Sequence, residues 1–220
     1  MKRENCIKLF IGAFLLVLFV VFTALVTVVD VNSIGPNGSE VGFSSLNGNV
    51  RDAIGVNMIL YNITDWLGLV PVFVMVGFAV LGLVQLMKRR CVLKVDKDIL
   101  ALGVFYVVVF FAYLLFEMLS INYRPTLIDG RLEASYPSST TILVLCIMPT
   151  TAMQILIRAK NKILKIALSI ICLLFMVAML AMRILSGVHW FTDIIGGVLL
   201  SSALVLIYYS FVSELYFGQA

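Results

Sequence analysis

The residues best equipped for chemistry fall in two short links of an otherwise greasy chain. One is RPTLIDGRLEASYPSSTT, residues 124–141, which gathers two Arg, two Pro and a run of Ser and Thr hydroxyls; Asp129 and Glu133 lie inside it and Glu117 just upstream. The other is MRILSGVHWFTDIIGG, residues 182–197, with His189, the only histidine, Asp193 four residues later and Arg183 six residues earlier. On a helix, His at i and Asp at i+4 share one face. The carboxylate can then accept a hydrogen bond from one imidazole N–H and leave the other nitrogen's lone pair free as nucleophile or base. An arginine close by offers a planar fork of donors suited to phosphate. The plainer reading is a His–Asp pair at a helix start beside an interfacial Arg, but ionisable groups at membrane depth are functional candidates by default.

Membrane depth follows from composition. The 220-residue chain is 62% hydrophobic and 13% charged, against roughly 25% charged in a soluble domain, and its mean hydropathy is +1.09. Six apolar runs, at 7–29, 66–87, 99–119, 141–157, 166–182 and 192–212, approach or exceed the length that crosses a bilayer. The expected fold is all-α: one integral membrane domain, 1–220, built as a polytopic six-helix bundle. A soluble fold would lack the polar residues to cover its surface. The first run is too long for a secretory signal and no A-x-A-like site follows it, so it reads as an uncleaved span. The longest loop, 30–65, is rich in Gly, Asn and Ser, and its second half, 50–63, could lie along the interface as an amphipathic piece.

The net charge of +4 does not signal nucleic acid, because the basic residues flank the apolar runs. Lys2, Arg3, Lys8, Lys88, Arg89, Arg90, Lys94, Lys97, Arg158, Lys160, Lys162 and Lys165 fall on one side of the six-span layout; only Arg51, Arg124, Arg131 and Arg183 fall on the other. The richer side is expected in the cytoplasm with both termini, which turns both chemistry-bearing links outward, at the plasma membrane. Cys6, Cys91, Cys146 and Cys172 have no metal-binding spacing.

Read together, Arg124-Pro125, the YPSS stretch and Arg-x5-His-x3-Asp resemble the three-part signature of the type 2 phosphatidic acid phosphatase (PAP2) superfamily: Lys-x6-Arg-Pro, Pro-Ser-Gly-His and Ser-Arg-x5-His-x3-Asp. The resemblance runs over about 117–212. It implies that His189 attacks phosphorus to form a phosphohistidine, that Asp193 orients it, and that Arg124 and Arg183 clamp the phosphoryl oxygens. Ser138, with backbone N–H groups around Ser138 and Ser139, adds hydrogen bonds. The resemblance implies no metal ion or other cofactor and a membrane lipid as substrate; it leaves the oligomeric state open.

The departures are specific. Glu117 stands where the family has its first-motif Lys, Ser139-Thr140 replace Gly-His, and Met182 replaces the Ser that opens the third motif. The missing His is the proton donor to the leaving group. Either the leaving group needs no strong acid, as when a phosphate with a second pKa of about 6 departs, or Glu133, Asp129, Tyr136 or a water held by Thr140 supplies the proton, or the site only binds. The expected function is a phosphatase of a lipid phosphate or isoprenoid pyrophosphate; the alternatives are a phosphotransferase of the same chemistry and a catalytically inactive binding protein.

Other features read as structural. Pro71 and Pro149 should bend spans two and four, and Gly196 and Gly197 should permit close helix packing. Trp66, Tyr123, Tyr136 and Trp190 at span ends fit an aromatic belt. Asn37-Gly38-Ser39 and Asn62-Ile63-Thr64 match the glycosylation pattern but read as unused.

Overall fold

Long apolar runs without charge leave the backbone no partner in a membrane but its own carbonyls, so helices form wherever such runs occur. The computed structural model describes residues 2–217. Among them are eight α-helices: α1 (Arg3–Val28), α2 (Ser44–Ile54), α3 (Met58–Leu67), α4 (Leu69–Arg89), α5 (Lys97–Leu119), α6 (Ser139–Arg158), α7 (Lys162–Leu185) and α8 (Phe191–Phe217). Six apolar stretches are long enough to span, with α3 and α4 counting as one, Met58–Arg89.

The second span departs from expectation at its start. It begins at Met58 rather than near residue 66, and the expected interfacial piece at 50–63 is split between α2 and α3. The cause is local: Asn57 caps α3 by accepting from the N–H groups of Ile59 and Leu60. Pro71 has no N–H to give Leu67, one turn back, and the helix breaks beside that carbonyl, at Gly68.

Two helices form the middle of the bundle. Half of the apolar window of α8 and 44% of that of α6 are buried, against 6% for the second span. α8 packs along α1 and against α6, and α6 packs against α7. Gly196 is needed there, since a Cβ would come within 2.7 Å of the Tyr136 ring.

At one end of the bundle Arg158, closing α6, pairs with Asp96 and Asp98 at the start of α5, and Arg89, closing α4, also pairs with Asp96. These pairs tie the 90–96 and 159–161 links together. Both chemistry-bearing links lie at the other end. The aromatic-belt expectation fails for Trp190 and Tyr136, each 1% exposed. Each has a polar tip that a partner inside the protein satisfies: the Trp190 indole N–H donates to the Tyr123 carbonyl at 2.7 Å, and the Tyr136 hydroxyl bonds Thr23 at 2.8 Å.

Candidate active site

The link between α5 and α6 is a folded device, and the sequence says why. Asp129-Gly130 is a two-residue hairpin signal; both residues have positive φ, 49° and 74°, and Ile128 and Arg131 exchange two backbone hydrogen bonds across them. Further back along this ladder the Arg124 N–H donates to the Glu133 carbonyl at 2.9 Å, and the Ser135 N–H to the Asn122 carbonyl at 2.8 Å. The hairpin therefore sets Arg124 and Glu133 side by side, and their side chains meet as an ion pair, Nε to Oε2, at 3.1 Å.

His189 lies in the short turn between α7 and α8, not on a helix with Asp193 as the i+4 spacing suggested. Asp193 is in the first turn of α8, where the helix dipole favours an anion. Its Oδ2 accepts the Trp190 N–H at 2.9 Å and lies 3.5 Å from His189 Nδ1. Asn122 reaches Oδ1 at 3.5 Å. With Nδ1 turned to the carboxylate, Nε2 points to Arg124, whose Nη1 is 3.4 Å away.

Arg183 closes α7 and is 2% exposed. One guanidinium nitrogen donates to Thr64 Oγ1 at 2.9 Å, its buried Nε has no hydrogen-bond partner, and among the described residues no carboxylate is within ion-pair distance. Both arginines pack on the Tyr61 ring, at 5.6 Å for Arg124 and 5.2 Å for Arg183. Such contacts contribute about 0.5–2 kcal/mol each and offset part of the repulsion between two nearby cations.

Burial, together with the charges of Arg124 and Arg183, holds His189 well below the usual imidazole range. Both effects favour the neutral ring near neutral pH. The structure thus brings His189, Asp193, Arg124 and Arg183 into one neighbourhood.

The remaining expected residues are placed differently. Ser138 is fully buried, its N–H is taken by the Asp193 carbonyl at 3.1 Å, and its hydroxyl accepts from Thr141 at 3.0 Å. It braces the carboxylate's backbone, and its N–H is not free for a phosphoryl oxygen. Ser139 opens α6, whose first turn has no side-chain cap, and it borders a cleft of about 500 Å3 together with Arg124, His189, Glu133, Glu117 and Ser135. Thr140 borders a different, narrow slot between α6 and α7 that ends at Arg183. Asp129 sits at the hairpin tip, away from that cleft's lining, and the Tyr136 hydroxyl is engaged by Thr23. Among the described residues no three His, Cys, Asp or Glu side chains cluster as a metal site.

The first loop contributes residues that no spacing in the sequence marks. Asn47 on α2 accepts the Thr192 N–H at 3.2 Å and donates to Thr192 Oγ1 at 2.9 Å and to the Gly42 carbonyl at 2.8 Å. The Asn57 N–H donates to the Ser186 carbonyl at 2.9 Å, and Arg51 lies over the Trp190 ring at 5.6 Å. Gly187 (φ +62°) has no room for a side chain: a Cβ would lie 1.9 Å from the Gly55 carbonyl oxygen. Asn47→Leu strands a buried N–H and a carbonyl, a loss of about 1–3 kcal/mol. We expect Tm in detergent to fall by several degrees, and turnover to fall with it; an unchanged Tm rules out the clamp.

The PAP2 superfamily profile matches residues 101–217, more than half of the chain. The chain belongs to the PAP2 superfamily. Over most of its length this PAP2 protein resembles in fold a solved structure described as the first transmembrane PAP2-type phosphatidylglycerolphosphate phosphatase, from Bacillus subtilis. The TM-score is 0.61 at 20% identity, covering 92% of this chain and 96% of that one. No curated protein matches the sequence. The superfamily and the shared fold make this PAP2 chain an all-α integral membrane protein of the phosphatase type.

Proposed function

We propose that the protein hydrolyses a lipid phosphate or isoprenoid pyrophosphate at the outer face of the membrane, through a phosphohistidine on His189. One observation carries the reading. Arg183 is a deeply buried guanidinium with an unused Nε and, among the described residues, no carboxylate partner, an arrangement that costs several kcal/mol unless an anion completes it. The neutral imidazole and Arg124 stand beside it.

In this mechanism the phosphoryl group enters between the two guanidinium groups. His189 Nε2 attacks phosphorus while Nδ1–H stays turned to Asp193, which stabilises the ring as its charge rises. Arg124, Arg183 and the uncapped first turn of α6 neutralise the equatorial oxygens as charge develops. The outer placement rests on the basic residues crowding the opposite end of the bundle.

The leaving group decides the substrate. General acid assistance is worth about 10²–10⁴-fold, and Thr140 cannot give it. A phosphate departing from a pyrophosphate needs none, so a pyrophosphate lipid should turn over faster than phosphatidic acid or phosphatidylglycerolphosphate. Phosphate release from purified protein over these three substrates tests this. Faster release from either monoester overturns the pyrophosphate preference, and no release from any of them overturns the phosphatase reading.

A further inference from the structure

Hydrolysing a phosphohistidine sets a second proton problem, separate from the leaving group. Water must lose a proton as it attacks, so a base must stand near the phosphorus on the side away from His189. His189 is the only imidazole in the chain and is itself the group being displaced. A carboxylate is the remaining common base, and several carboxylates lie near this end of the bundle.

Geometry separates them. Asp193 is fully buried behind the imidazole, on its Nδ1 side. Asp65 is not on the cleft; Glu117 borders it from the end of α5, and the ion pair with Arg124 among the described residues is made by Glu133. Glu133 is different. Its Oε2 lies 3.1 Å from Arg124 Nε, while the same guanidinium's Nη1 lies 3.4 Å from His189 Nε2. One rigid planar group thus separates the carboxylate from the nucleophile, and both border the same cleft. The Arg124 N–H to Glu133 carbonyl bond locks that register in the backbone. The Glu133 side chain is 40% exposed, so it can pass a proton to bulk water.

We propose that Glu133 is the general base that activates water in the second half of the reaction. This rests on the phosphohistidine reading above. In the first step the Nε2–P bond forms and the P–O bond breaks, with the electron pair leaving on oxygen; a departing phosphate carries that pair without a proton. In the second step water oxygen bonds to phosphorus as P–Nε2 breaks, returning the pair to Nε2. The water's proton goes to the Glu133 carboxylate and then to solvent.

Glu133→Gln is the decisive variant, because the amide keeps the side chain's size and shape beside Arg124 while the base is gone. Using an isoprenoid pyrophosphate radiolabelled in its terminal phosphate, with alkaline quenching to preserve phosphohistidine, steady-state release should fall roughly 10²-fold. The labelled phosphoenzyme should accumulate above the wild-type level. Formate should speed its decay, and Glu133→Asp should retain much of the turnover. If Glu133 merely positions Arg124, phosphoenzyme forms slowly and never accumulates, and that result overturns the proposal. Wild-type protein that turns substrate over without labelling His189 overturns the phosphohistidine reading, and this proposal with it.

Discussion

Phosphate release is expected to fall by roughly 10⁴-fold or more in His189→Ala, the scale seen when a covalent nucleophile is removed. No second imidazole exists to substitute. Asp193 cannot step forward, because its Oδ2 is held by the Trp190 N–H and its backbone carbonyl by the Ser138 N–H. The two arginines remain, so substrate still binds: kcat collapses while KM changes little. The ring is buried, so Ala leaves a cavity, and His189→Gln serves as the better-filled control. A measurable Tm in detergent for both variants shows that the fold survives. Turnover within 10-fold of wild type in either variant would rule out the imidazole as nucleophile and favour a site that only binds.

Arg183→Met separates activity from stability, with opposite signs. Its guanidinium is buried with an unsatisfied Nε and without an ion-pair partner among the described residues. Replacing such a charge by an apolar chain of similar length is expected to stabilise by about 1–4 kcal/mol, less the Thr64 hydrogen bond. Tm should therefore hold or rise while kcat falls roughly 10²–10³-fold, the range for one electrostatic donor in a transition state.

The same variant moves the pH profile. In the wild type burial, joined by the charges of Arg124 and Arg183, disfavours protonation of the imidazole and holds His189 well below its ordinary range. Its activity should hold as pH falls through about 6.5, once substrate ionisation is allowed for. Removing Arg183 takes away one of these causes while burial and Arg124 remain, so the acid limb of kcat/KM should shift part of the way upward. A drop in Tm, or an acid limb that stays in place, contradicts this account of Arg183.

The six spans were legible because a bilayer demands uninterrupted apolar length, and only the start of the second was misread. There the deciding signals were the Asn57 cap and the missing N–H of Pro71, which hydropathy does not register. The grouping of His189, Asp193, Arg124 and Arg183 was legible in type and order. Its geometry was not, since the His–Asp contact is made by a helix start reaching back across a turn. Tyr61, Thr64 and Asn47 left no trace, because their partners are far along the chain and side-chain direction sets the contacts. Trp190 and Tyr136 show the limit of reading aromatics at span ends: an indole and a phenol with internal partners look the same in sequence as ones facing lipid.

The clamp between the first loop and the α7–α8 turn bears on how a lipid reaches the phosphorus. Gly55 abuts Gly187, Asn57 bonds Ser186, and Asn47 bonds Thr192, so three rivets on α2 and its tail straddle the imidazole. A segment fastened that way cannot swing aside as a hatch without dragging the imidazole off station. On the proposed function the doorway would then be on the opposite flank, through the cleft beside the hairpin, and a bulky tether placed on α2 should leave traffic into the pocket undisturbed.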